Sequence, residues 1–338
     1  MENESNSNGK LSRRKFIGAA AAVATFAMVP LNFQFINEPK QLKNTKPNSR
    51  FGGVQIGSST YSWRAMPYSI ENIIKYCLAS KISSIELQGY IAEIYAGIPQ
   101  APISKGPNVV LSGQERRDEY EKSSKLLAKE QRAWRLSVPM KKYEDLRKMF
   151  NDEGVEIHLW KASPENWSDD EINYSFNVAK ALGAKGVGAE IGENAAKRLG
   201  PIAEKHGMYA IFHQHSQPKD PGWTFEKFLD YSPNNRLNFD AGHYFGCTGL
   251  HPNGIIERLH DRISTIHIKD KTGPKSNPAE SNMPFGKGET PLSDVLLLVK
   301  KNKWPINVDI ELEYKIPEGS DAVSEVKRCV DYCKGILS

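Results

Sequence analysis

Short apolar or alternating runs of five to seven residues trade places with amphipathic stretches along most of the chain. Strand-like runs fall at 53–58, 83–88, 155–160, 185–190, 208–213, 236–240, 263–268 and 305–311. Apolar positions recur with helical spacing near 69–81, 116–136, 140–153, 168–182, 194–206, 224–231, 253–261, 291–302 and 320–337. Strands that alternate with helices predict a parallel sheet, and eight is the number that closes a barrel. An open doubly wound sheet is the competing arrangement. It lacks its signature here: no Gly-x-Gly-x-x-Gly follows a strand and opens a helix with an acidic residue beyond, and Gly186-Val-Gly188 stands in the wrong context. The expected fold is therefore α/β, a single-domain (β/α)8 TIM barrel over 51–338. Two connections exceed ordinary length. The stretch 90–138 is expected to cap the barrel mouth, and the turn-rich loop 271–290 to act as a mobile lid.

The N-terminus follows another pattern. Ser12-Arg13-Arg14-Lys15-Phe16-Ile17 leads into a short, weakly apolar run ending at Pro30, a basic region and apolar core that read as an export signal over 1–31 rather than a membrane span. The paired arginines before Phe-Ile are similar to a twin-arginine signal, so the expected location is the periplasm or another exported compartment. Residues 32–50, rich in Asn, Gln, Lys and Pro, read as a linker.

Charge is informative once the leader is set aside. Eight of the 45 Lys and Arg residues and three of the 40 acidic residues fall in the first fifty, so 37 of each sign remain in the body. A nucleic-acid partner needs clustered cations, and the net +5 of the chain belongs to the leader. No membrane span is expected after signal cleavage, and a homo-oligomer is compatible with the sequence. Cys77, Cys247, Cys329 and Cys333 form no Cys-x-x-Cys pair and read as buried small hydrophobes.

From the second strand onward, strand ends carry the chemistry: Ile85-Glu86-Leu87, His158-Leu-Trp160-Lys161, Ala189-Glu190, His213-Gln-His215, Asp240-Ala-Gly-His243, His267-Ile-Lys269-Asp270 and Glu311-Leu-Glu313. In a closed barrel these ends converge on one mouth. Imidazoles and carboxylates without thiolates suit one divalent ion, Mn²⁺, Mg²⁺, Co²⁺ or Zn²⁺. Competing readings exist for single residues, since an Asp after a strand also caps helices and a His between isoleucines also sits in cores. Collectively, so many charges around one mouth call for a cation to pair them.

The order of Asp240-Ala-Gly-His243 and His267-Ile-Lys-Asp270, behind an acidic strand end and a His-x-His and before Ile-Glu-Leu-Glu-Tyr, resembles the xylose-isomerase-like superfamily of sugar isomerases, epimerases and inosose dehydratases. The resemblance covers roughly residues 53–338. It implies one divalent ion on Asp240, His267 and Glu311, with either Glu190 or His213 as fourth ligand. It also implies an isomerase or epimerase that moves a proton through an enediolate of a non-phosphorylated keto-sugar or polyol. In that reading Glu190 and Glu311 transfer the proton, Lys269 stabilises developing negative charge, and His243 orients hydroxyls or shuttles protons. Glu86, Trp160, Lys161 and His215 are expected to touch the small carbohydrate substrate; for Trp160 and Trp63, stacking on a sugar face competes with a place in the core, the commoner fate of a large aromatic at a barrel strand. Two other readings remain open: elimination from an inosose or 3-keto-glycoside at the same site, and a non-catalytic sugar- or metal-binding protein.

Overall fold

The computed structural model describes residues 46–101 and 113–338. The export signal of 1–31 and residues 32–45 of the linker lie outside the described residues. Strands β1 (Val54–Ser59), β2 (Ser84–Gln88), β3 (Glu156–Lys161), β4 (Gly186–Glu190), β5 (Tyr209–His213), β6 (Asn235–Asp240), β7 (Ile263–Ile268) and β8 (Asn307–Ile310) each pair in parallel with the next. The pairing of β8 with β1 closes the ring, giving a (β/α)8 barrel. Ser49 and Arg50, at the end of the stretch read as linker, already belong to this fold: Arg50–Phe51 pairs antiparallel with β1, and the Ser49 hydroxyl donates to the Ile56 carbonyl at 2.6 Å.

The helices are α1 (Ile70–Ser80), α2 (Gly89–Ala96), α3 (Gly113–Arg135), α4 (Lys141–Asp152), α5 (Asp169–Leu182), α6 (Glu193–His206), α7 (Glu226–Leu229), α8 (Ala241–Thr248), α9 (Asn253–Leu259), α10 (Leu292–Asn302) and α11 (Ala322–Leu337). Their ends follow local chemistry. Ser168 and Glu171 form a reciprocal capping box at the start of α5, and left-handed Gly183 closes it. Periodicity missed α2 and α8 because each begins directly at a strand end and spans only eight residues.

The apolar core lies between the outer face of the sheet and the helices. Ile85, Leu87, Phe212, Phe239, Ile266 and Ile310 face Ile73, Phe150, Phe176, Leu199, Val295 and Val326, all fully buried. Each such side chain contributes roughly 1.5–3 kcal/mol of transfer free energy. The barrel interior is different in kind: Ser84, Glu86, His158, Asn238, Thr265 and Asp309 are buried there and hydrogen-bond or ion-pair largely with one another. Gly57 makes room for one of them, since a Cβ at 57 would lie 2.0 Å from Asp309 Oδ1. The four cysteines are buried and unpaired, as their spacing predicted.

Within the stretch expected to cap the mouth, α2 and the end of α3 pack on the flank. Arg135, at the end of α3, donates to Glu93 of α2 at 2.8 Å and to Glu171 of α5 at 3.2 Å, tying these helices to the outside of the barrel. The loop 271–290 is pinned at its root, because the Asp270 carboxylate accepts from the backbone N–H groups of Gly286, Gly288 and Thr290. Among the described residues, no helix is long and apolar enough to cross a membrane.

Candidate active site and metal centre

Register brings the polar strand ends to one height. Glu190 of β4 lies beside His213 of β5, and Asp240 of β6 beside His267 of β7. Glu311 follows β8 directly, its backbone N–H donating to the Ile268 carbonyl. One ligand atom from each of His213, Asp240, His267 and Glu311 falls within 4.8 Å of the others, and all four residues are buried. The cavity above them, about 250 Å³, is lined by Tyr61, Glu86, Gln88, Lys161, Glu190, His213, His215, His267, Glu311 and Glu313.

Asp240 serves two ends at once. Its Oδ1 accepts from the His243 N–H at 2.6 Å and so caps α8, while Oδ2 faces His213 Nε2 at 3.3 Å and Lys269 Nζ at 3.0 Å. Gln214 holds its backbone on both sides, donating to the Asp240 carbonyl at 2.7 Å and accepting from its N–H at 3.0 Å. The glycine of Asp-Ala-Gly-His is required by packing, because a Cβ at 242 would lie 2.3 Å from Lys269 Cγ and 2.4 Å from the Lys269 carbonyl oxygen.

Charges balance in pairs. Burial pushes the Asp240 carboxyl up, but Lys269, His243 and His213 hold it well below the usual range. Burial opposes protonation of His267, yet Glu86 and Glu311 beside it raise it well above an ordinary imidazole. His213 is raised likewise, burial being outweighed by Asp240 and Glu190. Glu86 is brought down to about 2 against its burial by His267 and Lys161. His243 goes the other way: burial, with Lys269 and His213 adding like charge against Asp240, brings it to about 3, so it is neutral at physiological pH.

Two expected roles need correction. Lys269 does not line the cavity. It is 2% exposed, and its ammonium is held by Asp240, by Glu311 at 2.5 Å and by Glu313 at 2.8 Å. The cation that lines the cavity is Lys161, paired with Glu190 at 2.7 Å. Trp160 and Trp63 do not form a sugar platform either. Both are fully buried outside the barrel, Trp160 edge-on to Tyr174 at 6.4 Å and Trp63 against Tyr76 at 5.9 Å.

The donor set fits a divalent ion: two imidazoles and two carboxylates from four strands, converging at the floor of an open cavity. Glu190 stands apart from the four, with His213 and His215 at 3.3 and 3.2 Å from its Oε2. His243 lies beside this group, its Nε2 3.6 Å from Glu313.

Residues 189–332 match the family model of the xylose isomerase-like TIM barrel. The fold of the whole barrel agrees with that match. Over those residues the chain is similar to the xylose isomerase-like TIM barrels. A sugar phosphate isomerase/epimerase from Parabacteroides distasonis superposes with a TM-score of 0.55 at 16% identity, over 85% of this chain and 96% of that one. The probable 3-DHS dehydratase involved in petrobactin synthesis from Bacillus anthracis gives 0.53 at 15%, over 82% and 98%. A D-psicose 3-epimerase solved with D-fructose gives 0.53 at 10%, over 84% and 99%. At such identities these structures show the shared fold. No curated protein matches the sequence.

Two cavity residues of this barrel, Tyr61 and Gln88, escaped the sequence reading. Tyr61 follows β1 and Gln88 ends β2, while Glu313, just after β8, was read among the strand ends without a role of its own. Glu313 stands in the Glu-Leu-Glu run that follows β8, where its alternation with Glu311 was the available signal. Tyr61 was missed because β1 ends in Ser58-Ser-Thr60 and advertises no ligand type.

Proposed function

We propose that this chain is a divalent-metal-dependent isomerase or epimerase acting on a non-phosphorylated keto-sugar or keto-bearing polyol through an enediolate. The observation that carries the proposal is the convergence of His213, Asp240, His267 and Glu311 beneath a cavity ringed by further carboxylates. These four residues would hold one ion, which would draw electron density from a hydroxyl–carbonyl pair and acidify the C–H between them. Glu190 is the group placed to move that proton: its carboxylate is ionised, lines the cavity and is steadied by Lys161 and His215. Glu313, held by Lys269, and Gln88 face the same space and can hydrogen-bond substrate hydroxyls. Four glutamates, Glu86, Glu190, Glu311 and Glu313, line the cavity against one lysine. Among the described residues no arginine lines the cavity, and Lys161 is already paired with Glu190, which supports an unphosphorylated substrate.

A second reading has its footing in His215, half-exposed at the rim and 3.2 Å from Glu190. If the substrate carries a leaving oxygen beta to the carbanion, His215 can protonate it, and the same site eliminates water from an inosose or an alcohol from a 3-keto-glycoside. Incubating the metal-loaded protein in D₂O with ketoses, inososes and 3-keto-glycosides tests both. Deuterium in recovered substrate shows the carbanion common to both, a labelled epimer or isomer supports isomerisation, and an unsaturated product supports elimination. Absence of exchange and of product across the panel, from protein shown to hold its metal, would overturn both.

A further inference from the structure

We infer that Glu86, which no metal atom need touch, sets the nitrogen with which His267 binds the ion. The inference rests on the metal site proposed above. Glu86 is 1% exposed and is held by two strands: Ser59 Oγ of β1 donates to Oε1 at 3.1 Å, and Asn238 Nδ2 of β6 donates to Oε2 at 2.7 Å. The third neighbour is His267 Nε2, 3.0 Å from the same Oε2.

An ionised carboxylate can only accept, so the nitrogen facing it carries the hydrogen. Asn238 Nδ2 also lies 3.0 Å from His267 Nε2. That approach is two donors sharing one acceptor oxygen rather than a hydrogen bond between them. Turning the amide over would not relieve it, because Asn238 Oδ1 would then face the Glu86 carboxylate, acceptor against acceptor. Nδ1 faces a carboxylate as well, that of Glu311, so an ion held there would take the place of its proton; with Nε2–H committed to Glu86, the neutral imidazole that remains has its lone pair on Nδ1.

Nδ1 is the nitrogen on the ligand side. It lies 3.2 Å from Glu311 Oε2 and 3.9 Å from Asp240 Oδ2, whereas Nε2 points into the barrel interior. Glu86 is thus a positioning residue. It fixes both the tautomer and the ring orientation of a ligand, as outer carboxylates do for metal-binding histidines generally. Asn238 and Ser59 fix Glu86 in turn. The expected contact between Glu86 and substrate is secondary to this, since the carboxylate oxygens are occupied from the protein side.

The deciding measurement uses the unmodified sequence, ¹⁵N-labelled at histidine and loaded with ¹¹³Cd²⁺, with the His267 signals assigned by their loss in His267→Gln. Cadmium coupling to Nδ1 of His267, with a protonated Nε2, is expected. Coupling to Nε2 overturns the inference and leaves the metal reading intact; protein that takes up no cadmium removes both. In parallel, Glu86→Gln keeps the shape but offers an amide that can donate to Nε2 and stabilise the wrong tautomer. Its affinity for Mn²⁺ or Zn²⁺, read by competition with a chelating dye, should fall about 10–100-fold. Affinity equal to the parent protein overturns the inference. If the variant fails to fold, the cadmium spectrum of the parent protein decides alone.

Discussion

Trp160 shows how one residue can mislead a reading based on alternation. Ile157 of β3 sits beside Ile85 and Leu159 beside Glu86, so the pairing skips His158 and resets the parity of the strand. A bulge of this kind re-aims side chains. After it, Leu159 and Lys161 share the inner face with Glu86 and Gln88, and Trp160 turns outward into the helical layer. Trp160→Ala should therefore lower stability by about 3–5 kcal/mol, as loss of a buried aromatic does, while Trp160→Phe leaves KM for the substrate unchanged; urea melts and steady-state kinetics check the pair. Lys269 is the other residue whose role moved. Its ammonium is the counter-charge of three carboxylates, so Lys269→Met should lower the melting temperature of metal-free protein. Added Mn²⁺ should then raise that temperature further than it does for the parent, because the ion replaces the missing cation. A smaller metal-induced rise in the variant, by differential scanning fluorimetry, would contradict this account.

Elements matter here through how they are joined. Strand register places Asp240 beside His267, and helix α8 begins at once after β6, so a single Asp oxygen caps the helix while the other faces the site. Gly242→Ala is expected to shift α8 away from Lys269 and to disturb Asp240 with it, weakening metal binding as well as stability; unchanged metal affinity would show the two are separable. On the flank, Arg135 joins α2, α3 and α5 through Glu93 and Glu171. Burial pushes the Glu171 carboxyl up, but the Ser168 hydroxyl and backbone and the Arg135 guanidinium hold it below its usual value. A carboxylate depressed in the folded state contributes stability above its unfolded value of about 4.3, and that contribution is lost as pH falls through the folded value. Glu171→Gln should thus cost about 1–3 kcal/mol near pH 7. The gap from the parent should shrink below about pH 4, which chemical denaturation at several pH values would show.

At the scale of the whole molecule, stability and chemistry occupy separate layers. The apolar core lies outside the sheet, and the interior of the barrel is a buried polar column from Ser84, through His158 and Asp309, towards Glu86 and His267 at the mouth. Removing a ligand should consequently abolish stoichiometric metal without unfolding the barrel. Asp240→Ala, His267→Ala and Glu311→Ala are each expected to lose metal by elemental analysis, and EDTA should lower the melting temperature of the parent but not of the variants. Export is proposed to depend on the leader, so Arg13→Lys with Arg14→Lys should retain the protein in the cytoplasm, and unchanged fractionation would remove the twin-arginine assignment.

The alternation of apolar runs with amphipathic stretches was enough to locate all eight barrel strands to within a few residues, because burial on a two-residue or 3.6-residue period is written locally. The ligand types at the strand ends were legible for the same reason: a carboxylate or imidazole closing an apolar run is conspicuous in one dimension. Tertiary structure decided what depends on facing. It put His213 rather than Glu190 with Asp240, His267 and Glu311, turned Trp160 outward at a bulge and enclosed Lys269 among carboxylates. It also made Glu86 the neighbour of His267 across 181 positions of sequence. Those outcomes depend on strand pairing and side-chain direction in three dimensions, and no local period encodes them.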